Sequence, residues 1–345
     1  MPRVRVIDPV LTPSEAYAQA MHAHALQIAE RVAPWALAQR PRIAVLVPCL
    51  NEAQTIGQVV ADFREALPDA EIYVFDNGST DGTPAIALEA GAVVRREPRP
   101  GKGHVVRRMF ADIDADLYVL VDGDATYEAA AAAKMVDLLL GENLDMVVGC
   151  RDGEAEAAYR AGHRFGNAML TGFLAKVFGA GFSDILSGYR VLSRRFVKTF
   201  PCLSSGFEIE TEIAVHALML GLPFGEVRTQ YGARPEGSAS KLHTFSDGWR
   251  ILRTMLSLLR QEKPAQFFGG AGAITGLFAM LLALPLVRTY LETGLVPRFP
   301  TAILCTGLMI IALLTFCCGL ILDSVARSRM EARRLAYLRW NAPEC

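Results

Sequence analysis

Two long stretches without a single charged residue, 267–287 and 301–322, constrain this 345-residue chain more than any other feature. As a helix, either stretch reaches the ~30 Å needed to cross the hydrocarbon core of a bilayer. Two such runs rarely fit inside a soluble core, so they predict a transmembrane hairpin joined by the short connection 288–300. Basic residues crowd the outer ends. Arg250, Arg253, Arg260 and Lys263 precede the first run, and Arg327, Arg329, Arg333, Arg334 and Arg339 follow the second. This bias places both ends in the cytoplasm. Residues 245–259 (FSDGWRILRTMLSLL) mix an apolar face with arginines, as a helix lying at the membrane surface does. The expected organisation is a helical leader (1–40), an α/β domain (41–240), a juxtamembrane interfacial helix (241–264), a two-helix hairpin (265–323) and a basic cytoplasmic tail (324–345).

From residue 42 the pattern is different. IAVLVPCL, EIYVFDN, AVVRRE, DLYVLVDGD and LDMVVGC are short apolar runs, and helical segments separate them. Strands buried on both faces and linked by helices predict an α/β fold with a mostly parallel sheet. Such sheets bind ligands at the carboxyl ends of their strands. The notable polar groups fall there: Asn51 and Glu52 after the first strand, Asp76 and Asn77 after the second, Asp122 and Asp124 after the fourth. A formal charge of -1 provides no basic field for nucleic acid. The start MPRVRVIDPV lacks a basic segment followed by an apolar run, so no secretory signal is expected. Seven cysteines without a CxxC pair read as reduced thiols.

The segment LVDGDATY is the most informative for chemistry. Asp122-Gly123-Asp124 sets two carboxylates on a turn at the end of an apolar strand, with Gly123 leaving room for a phosphate to approach. Hard oxygen ligands of this kind suit Mg²⁺ or Mn²⁺ bridging to a pyrophosphate.

Taken together, VPCLNE, VFDNGSTDGT, PGKG and DGD resemble family 2 of the glycosyltransferases, whose fold is GT-A, over roughly residues 42–232. With FSDILSGYRVLSRR and the paired apolar runs, the chain resembles the polyprenyl-phosphate branch, the relatives of dolichyl-phosphate mannose synthase. The resemblance implies that Pro48, Asn51 and Glu52 lie along the nucleotide and that Asp76 contacts its base or ribose. Asp122 and Asp124 would hold the metal, and Lys102 would meet the donor's phosphates. Two departures stand out. Asn77 occupies the second position of a turn that is usually Asp-Asp-Gly-Ser, and Thr126 stands where many relatives carry a metal-binding Gln.

A polyprenyl phosphate is already an anionic nucleophile, so its attack requires orientation and charge screening rather than proton removal. Cations should line its site. The family-matching residues are Arg151, Arg164 and Arg190, with Arg234 and Lys241 ahead of the interfacial helix, and Asp184 and Ser187 positioning the acceptor. Glu208 and Glu210 either reach the donor sugar or simply enrich the first turn of a helix. The expected reaction is a single inverting displacement at the anomeric carbon, on the cytoplasmic face of the inner membrane, with Asp122, Asp124 and Arg190 at its centre. The donor is a nucleotide-diphosphate sugar, UDP favoured and GDP open. Transfer to a glycan hydroxyl, with Glu208 or Glu210 as base, is the alternative, and a non-catalytic nucleotide-sugar scaffold is a third. Relatives with paired spans form tetramers, which makes a homo-oligomer a further expectation.

Overall fold

In the computed structural model, residues 41–152, 172, 182–206, 208–232, 253 and 256–342 are described. The leader, most of the interfacial segment, and Arg164, Arg234 and Lys241 lie outside them.

Seven strands form one sheet: β1 (Ile43–Cys49), β2 (Glu71–Asp76), β3 (Val93–Arg96), β4 (Leu117–Leu120), β5 (Met146–Asp152), β6 (Arg190–Ser193) and β7 (Phe224–Gln230). Their spatial order is β3-β2-β1-β4-β6-β5-β7. Every pairing is parallel except those of β6, which runs against both β4 and β5. The five strands expected from apolar runs are all present. The reversed β6 is not evident in the sequence, because its four residues sit inside the SGYRVLSRR motif and read as part of a site rather than as an element.

The strands look continuously apolar because both faces are covered. Ala44, Leu46, Tyr118 and Leu120 point into one core, and Val45, Val47, Leu117 and Val119 into the other. The first core is closed by α3 (Lys102–Asp112), α5 (Arg194–Thr199) and α6 (Ile209–Leu220), which supply Met109, Phe196 and Ile213. The second is closed by α1 (Ile56–Ala66), α2 (Thr83–Glu89) and α4 (Ala131–Gly141), which supply Phe63, Ala87 and Met135. This layering is the doubly covered α/β architecture expected from the sequence.

Two long helices follow, α7 (Pro264–Thr293) and α8 (Phe299–Tyr337). Both are long and apolar enough to cross a membrane. Small residues bring them together: Gly272, Ala279, Cys305, Ala312 and Gly319 are among their buried positions, while Ile274, Leu281, Leu313 and Ile321 face outward. Outward apolar side chains of this kind suit a helix pair that associates with a membrane.

The helix α8 does not stop where its uncharged run ends at Leu322. It continues through the stretch expected to be only a basic tail and docks on the α/β domain. Arg333 Nη1 reaches the sulfur of Met219 at 3.9 Å, at the far end of α6. The Tyr337 hydroxyl donates to Asp145 Oδ2 at 2.7 Å. Arg194 stacks on Trp340 at 5.3 Å and Arg195 on Tyr337 at 4.9 Å. Asp145 is fully buried and also receives the Ser193 hydroxyl at 2.7 Å and the Arg195 guanidinium. Asp145 immediately precedes β5, so this anchor sits at the amino edge of the sheet.

Candidate active site

The loops at the carboxyl edge are laced to one another before any ligand is considered. Asn51 adopts φ 54°, a left-handed conformation that Asn tolerates better than most side chains. Its Oδ1 accepts from the Thr80 amide at 2.8 Å, and its own amide donates to Ser79 Oγ at 2.9 Å. The amide of Glu52 donates to Thr83 Oγ1 at 2.9 Å. Asp76 is buried, and its two oxygens accept the amides of Gly78 and Ser79. Thus Asn51, Glu52 and Asp76 shape the β1 and β2 loops, with Pro48 near the end of β1 beneath them.

Asn77 explains its own departure from the usual Asp. Its Nδ2 donates to the carbonyls of Glu97 at 2.9 Å and Arg99 at 2.7 Å, while Oδ1 accepts the Gly101 amide at 2.7 Å. A carboxylate has no hydrogen to give those two carbonyls. Asn77 therefore fixes the chain between β3 and α3. Gly101, at φ 122°, completes that connection: a Cβ there would lie 2.2 Å from the Ser205 carbonyl oxygen. The PGKG motif is thus pressed against residues 204–205, and its lysine enters the site from a fixed backbone.

Lys102 is almost fully enclosed. Its ammonium lies 2.5 Å from Asp122 Oδ1 and 2.6 Å from Glu210 Oε1. Burial works against the charge, but Asp122 and Glu210 together outweigh it and hold the pKa well above that of an ordinary lysine. Lys102 is therefore a permanent cation. It also decides between the two glutamates, because Glu210 enters the site and Glu208 does not. The stripe of α6 that carries Glu212, Val215 and Met219, with Glu208 just ahead of it, lines a separate cavity of about 610 Å³, bounded on its other sides by Arg253, Glu262 and Arg333.

Asp124 is buried. Its Oδ1 accepts the Thr126 hydroxyl at 2.6 Å and the Thr126 amide at 3.3 Å, so Thr126 orients this carboxylate. Gly123 is required for packing as well: a Cβ there would come within 2.7 Å of Cys49 Sγ on β1. Asp122 is about a third exposed and lies directly over Gly188, where a Cβ would meet its Oδ2 at 2.5 Å. The Gly188 amide in turn donates to the Tyr127 hydroxyl at 2.9 Å. Burial first, and then the nearby Asp122 charge, push the Tyr127 phenol well above its usual pKa, so it stays protonated. Tyr127, Gly188 and Glu210 complete the cluster. Tyr127 and Gly188 escaped the sequence reading because they join the cluster only through their contacts with each other and with Asp122.

The residues expected to hold an acceptor phosphate divide sharply. Arg190 is fully buried, and its guanidinium donates to the carbonyls of Ser187 at 3.1 Å and Ile185 at 2.6 Å. Desolvation lowers its pKa to about 10. Ser187 is equally buried, donating to the Gly149 carbonyl at 2.6 Å. Placed so, both side chains brace the 185–188 turn from within rather than lying open at the carboxyl edge. Arg151 is more accessible. It forms a two-pronged pair with Asp184 at 2.7 and 2.8 Å and stacks on Tyr231 at 5.5 Å. Burial would raise the Asp184 pKa, but Arg151 outweighs it and keeps the carboxylate ionised.

The Glycosyl transferase family 2 profile matches residues 44–200, from β1 through the braced turn and α5. Glycosyltransferase AglJ of Haloferax volcanii is 38% identical over 244 residues, covering 70% of this chain and 80% of that protein. The chain belongs to glycosyltransferase family 2. A second relative, the dolichyl-phosphate hexose transferase of Haloferax volcanii, is 28% identical over 222 residues, 64% of this chain and 95% of that one. Among solved structures, glucosyl-3-phosphoglycerate synthase from Mycobacterium tuberculosis in complex with Mn²⁺, UDP and glucosyl-3-phosphoglycerate superposes with a TM-score of 0.50. It is 25% identical and covers 64% of this chain and 79% of its own. The family 2 match covers β1 to β6, which carry the DGD carboxylates, Lys102 and the Asn77 clamp. It leaves Glu210, β7 and the membrane helices outside.

The donor set for a metal is small. Among the described residues, no group of three or more His, Cys, Asp or Glu side chains is placed to hold a metal ion. Asp122 and Asp124 together offer hard oxygen atoms, and Thr126 holds one of them in orientation, which fits a divalent ion that draws its remaining ligands from a bound diphosphate and water.

Proposed function

We propose that this glycosyltransferase moves a monosaccharide from a nucleotide-diphosphate sugar, UDP favoured and GDP open, onto polyprenyl phosphate at the cytoplasmic face of the inner membrane. The observation that carries the acceptor assignment is the course of α8. Its uncharged run ends at Leu322, and fifteen residues later Tyr337 is bonded to Asp145 at the amino edge of the sheet. Those residues measure about 22 Å along a helix. The seven residues of β5 measure about 23 Å from that same edge to the edge bearing Arg151. The helix is therefore long enough to hold the amino edge about one strand's length from the bilayer, which supports a reading in which the carboxylates face the membrane. Such an arrangement favours an acceptor held in the membrane, such as a lipid phosphate, over a water-soluble one. The dolichyl-phosphate hexose transferase relative supports the same acceptor class, and the Mn²⁺ and UDP of the solved synthase support a metal-assisted nucleotide donor.

In this reading Asp122 and Asp124 would hold Mg²⁺ or Mn²⁺, which supplies positive charge to the departing diphosphate. Lys102 adds a second, permanent cation beside it. Pro48, Asn51, Glu52 and Asp76 form the nucleotide-binding wall, with Gly123 at its floor. Arg151, screened by Asp184, meets the lipid phosphate. Arg164, Arg234 and Lys241 remain proposed acceptor contacts. The phosphate attacks the anomeric carbon from the face opposite the diphosphate, so configuration inverts and no base is required. Glu210 is committed to Lys102, which weighs against a glycan hydroxyl acceptor that would require it as a base.

The test incubates the detergent-purified chain with Mn²⁺ or Mg²⁺, a polyprenyl phosphate and a panel of UDP- and GDP-sugars. Nucleotide diphosphate release should coincide with a lipid-phosphate monosaccharide detected by mass. Asp124→Asn should lower turnover by about 10²-fold or more. Product formed only with a hydroxyl acceptor would overturn the assignment.

A further inference from the structure

Lys102 stands where a cation is needed before any donor has arrived. Its ammonium contacts the first DGD carboxylate, Asp122 Oδ1, at 2.5 Å and is held from the opposite side by Glu210 Oε1 at 2.6 Å. Asp122 carries its carboxylate against Gly188, where there is no space even for a Cβ, so the group cannot simply swing away from the lysine on that side. Gly101 fixes the lysine's backbone against Ser205. The three charged groups therefore form a cramped row in which one cation serves two anions.

We propose that Lys102 is a resident counter-ion that discourages a divalent metal from binding alone, and that Glu210 is the positioning residue that receives it when a nucleotide diphosphate arrives. The inference rests on the assignment of Asp122 and Asp124 to metal binding, and it adds an order to the events. An ammonium on Oδ1 cancels much of the charge that attracts a divalent ion, leaving Asp124 to act nearly alone. A diphosphate brings its own negative charge, so metal and nucleotide enter together while the lysine pivots from Asp122 onto the phosphates. Glu210 keeps the ammonium within reach throughout, because a buried lysine that gives up Asp122 still requires a carboxylate beside it.

The experiment reads binding rather than turnover. Free Mn²⁺ is followed by electron paramagnetic resonance during titration of the full-length chain in detergent, without nucleotide and then with UDP or GDP as probe. Lys102→Met should bind Mn²⁺ alone at least tenfold more tightly than the unaltered chain, yet bind UDP or GDP in the presence of Mn²⁺ more weakly. These opposite changes are the signature. Glu210→Gln should move the Mn²⁺-only affinity the other way, about threefold weaker or more, because the ammonium then rests wholly on Asp122. Lys102→Arg, which keeps the cation, should resemble the unaltered chain. Unchanged or weaker Mn²⁺ binding by Lys102→Met overturns the proposal, and if that variant does not fold, unchanged Mn²⁺ binding by Glu210→Gln does so. Neither result depends on which acceptor is glycosylated, so a failure of the lipid assignment is seen separately.

Discussion

Replacing Asn77 by Asp restores the more usual residue of this turn, yet the structure predicts that the loop ahead of Lys102 will loosen. The oxygen that accepts the Gly101 amide at 2.7 Å survives the change. The nitrogen that donates to the Glu97 and Arg99 carbonyls at 2.9 and 2.7 Å becomes an oxygen facing two oxygens. Two hydrogen bonds of ~1 kcal/mol each are lost, before any repulsion is counted. A local loss of ~2 kcal/mol corresponds to roughly 30-fold faster opening. Hydrogen exchange followed by mass spectrometry on peptides spanning 97–105 should show that acceleration at pH 7. Protonating the introduced carboxylate returns one donor, so the folded state raises its pKa above the ~3.9 of an unfolded Asp. A group raised in this way favours the fold at low pH and loses that contribution as pH rises through its folded pKa. The deficit against the unaltered chain should therefore be greatest near neutrality and shrink on acidification. Exchange within threefold of the unaltered chain at pH 7, or a deficit that grows as pH falls, refutes the reasoning.

Gly123→Ala should lower the thermal midpoint, at ~1–3 kcal/mol for an overpacked site, because its Cβ would sit 2.7 Å from the buried Cys49 thiol. Adding Cys49→Ala should recover most of that loss, and no recovery would show that packing is not the reason for the glycine. Burial, followed by the field of Arg333, lowers the His216 pKa to about 3 from an unfolded value near 6.5. The unfolded chain thus binds a proton that the fold refuses, and this residue makes stability fall as pH drops from about 6.5 towards 3. His216→Gln should flatten the acid limb of a melting-versus-pH profile, and an unchanged slope would rule the residue out. Arg190→Met leaves the Ile185 and Ser187 carbonyls without their donor, at ~1–3 kcal/mol each. Its melting point should fall with no ligand present, whereas a phosphate-binding Arg190 would leave melting unchanged and raise only the acceptor KM.

The sequence disclosed the sheet because burial on both faces writes apolar residues, aromatic ones included, into most positions of β1, β2 and β4. It disclosed the DGD carboxylates because hard acidic groups at a strand end stand out from such surroundings. Roles that depend on what a side chain touches stayed hidden. Arg151 and Arg190 look alike in sequence, and a guanidinium fork matches a pair of backbone carbonyls as readily as a phosphate. Only burial separates them: Arg190 is sealed within the core, and Arg151 stacks on Tyr231 near the edge of the domain. Glu208 and Glu210 stand two apart at the start of a helix, so they point in different directions, and no spacing rule says which direction is the active site.

The same helix links the charged row to the two long apolar helices. The first turn of α6 places Glu210 against Lys102, and its last turn places Met219 against Arg333 of α8. One element about 18 Å long, from its twelve residues, thus touches the charged row at one end and the C-terminal part of α8 at the other. The buried Asp145 receives Tyr337 from that part of α8 and Ser193 from β6, the strand that continues directly from the turn at Gly188 beneath Asp122. Two separate routes therefore tie α8 to the DGD carboxylates. Under the proposed lipid-phosphate acceptor, both connections would serve to hold the reacting edge at a fixed height above the membrane.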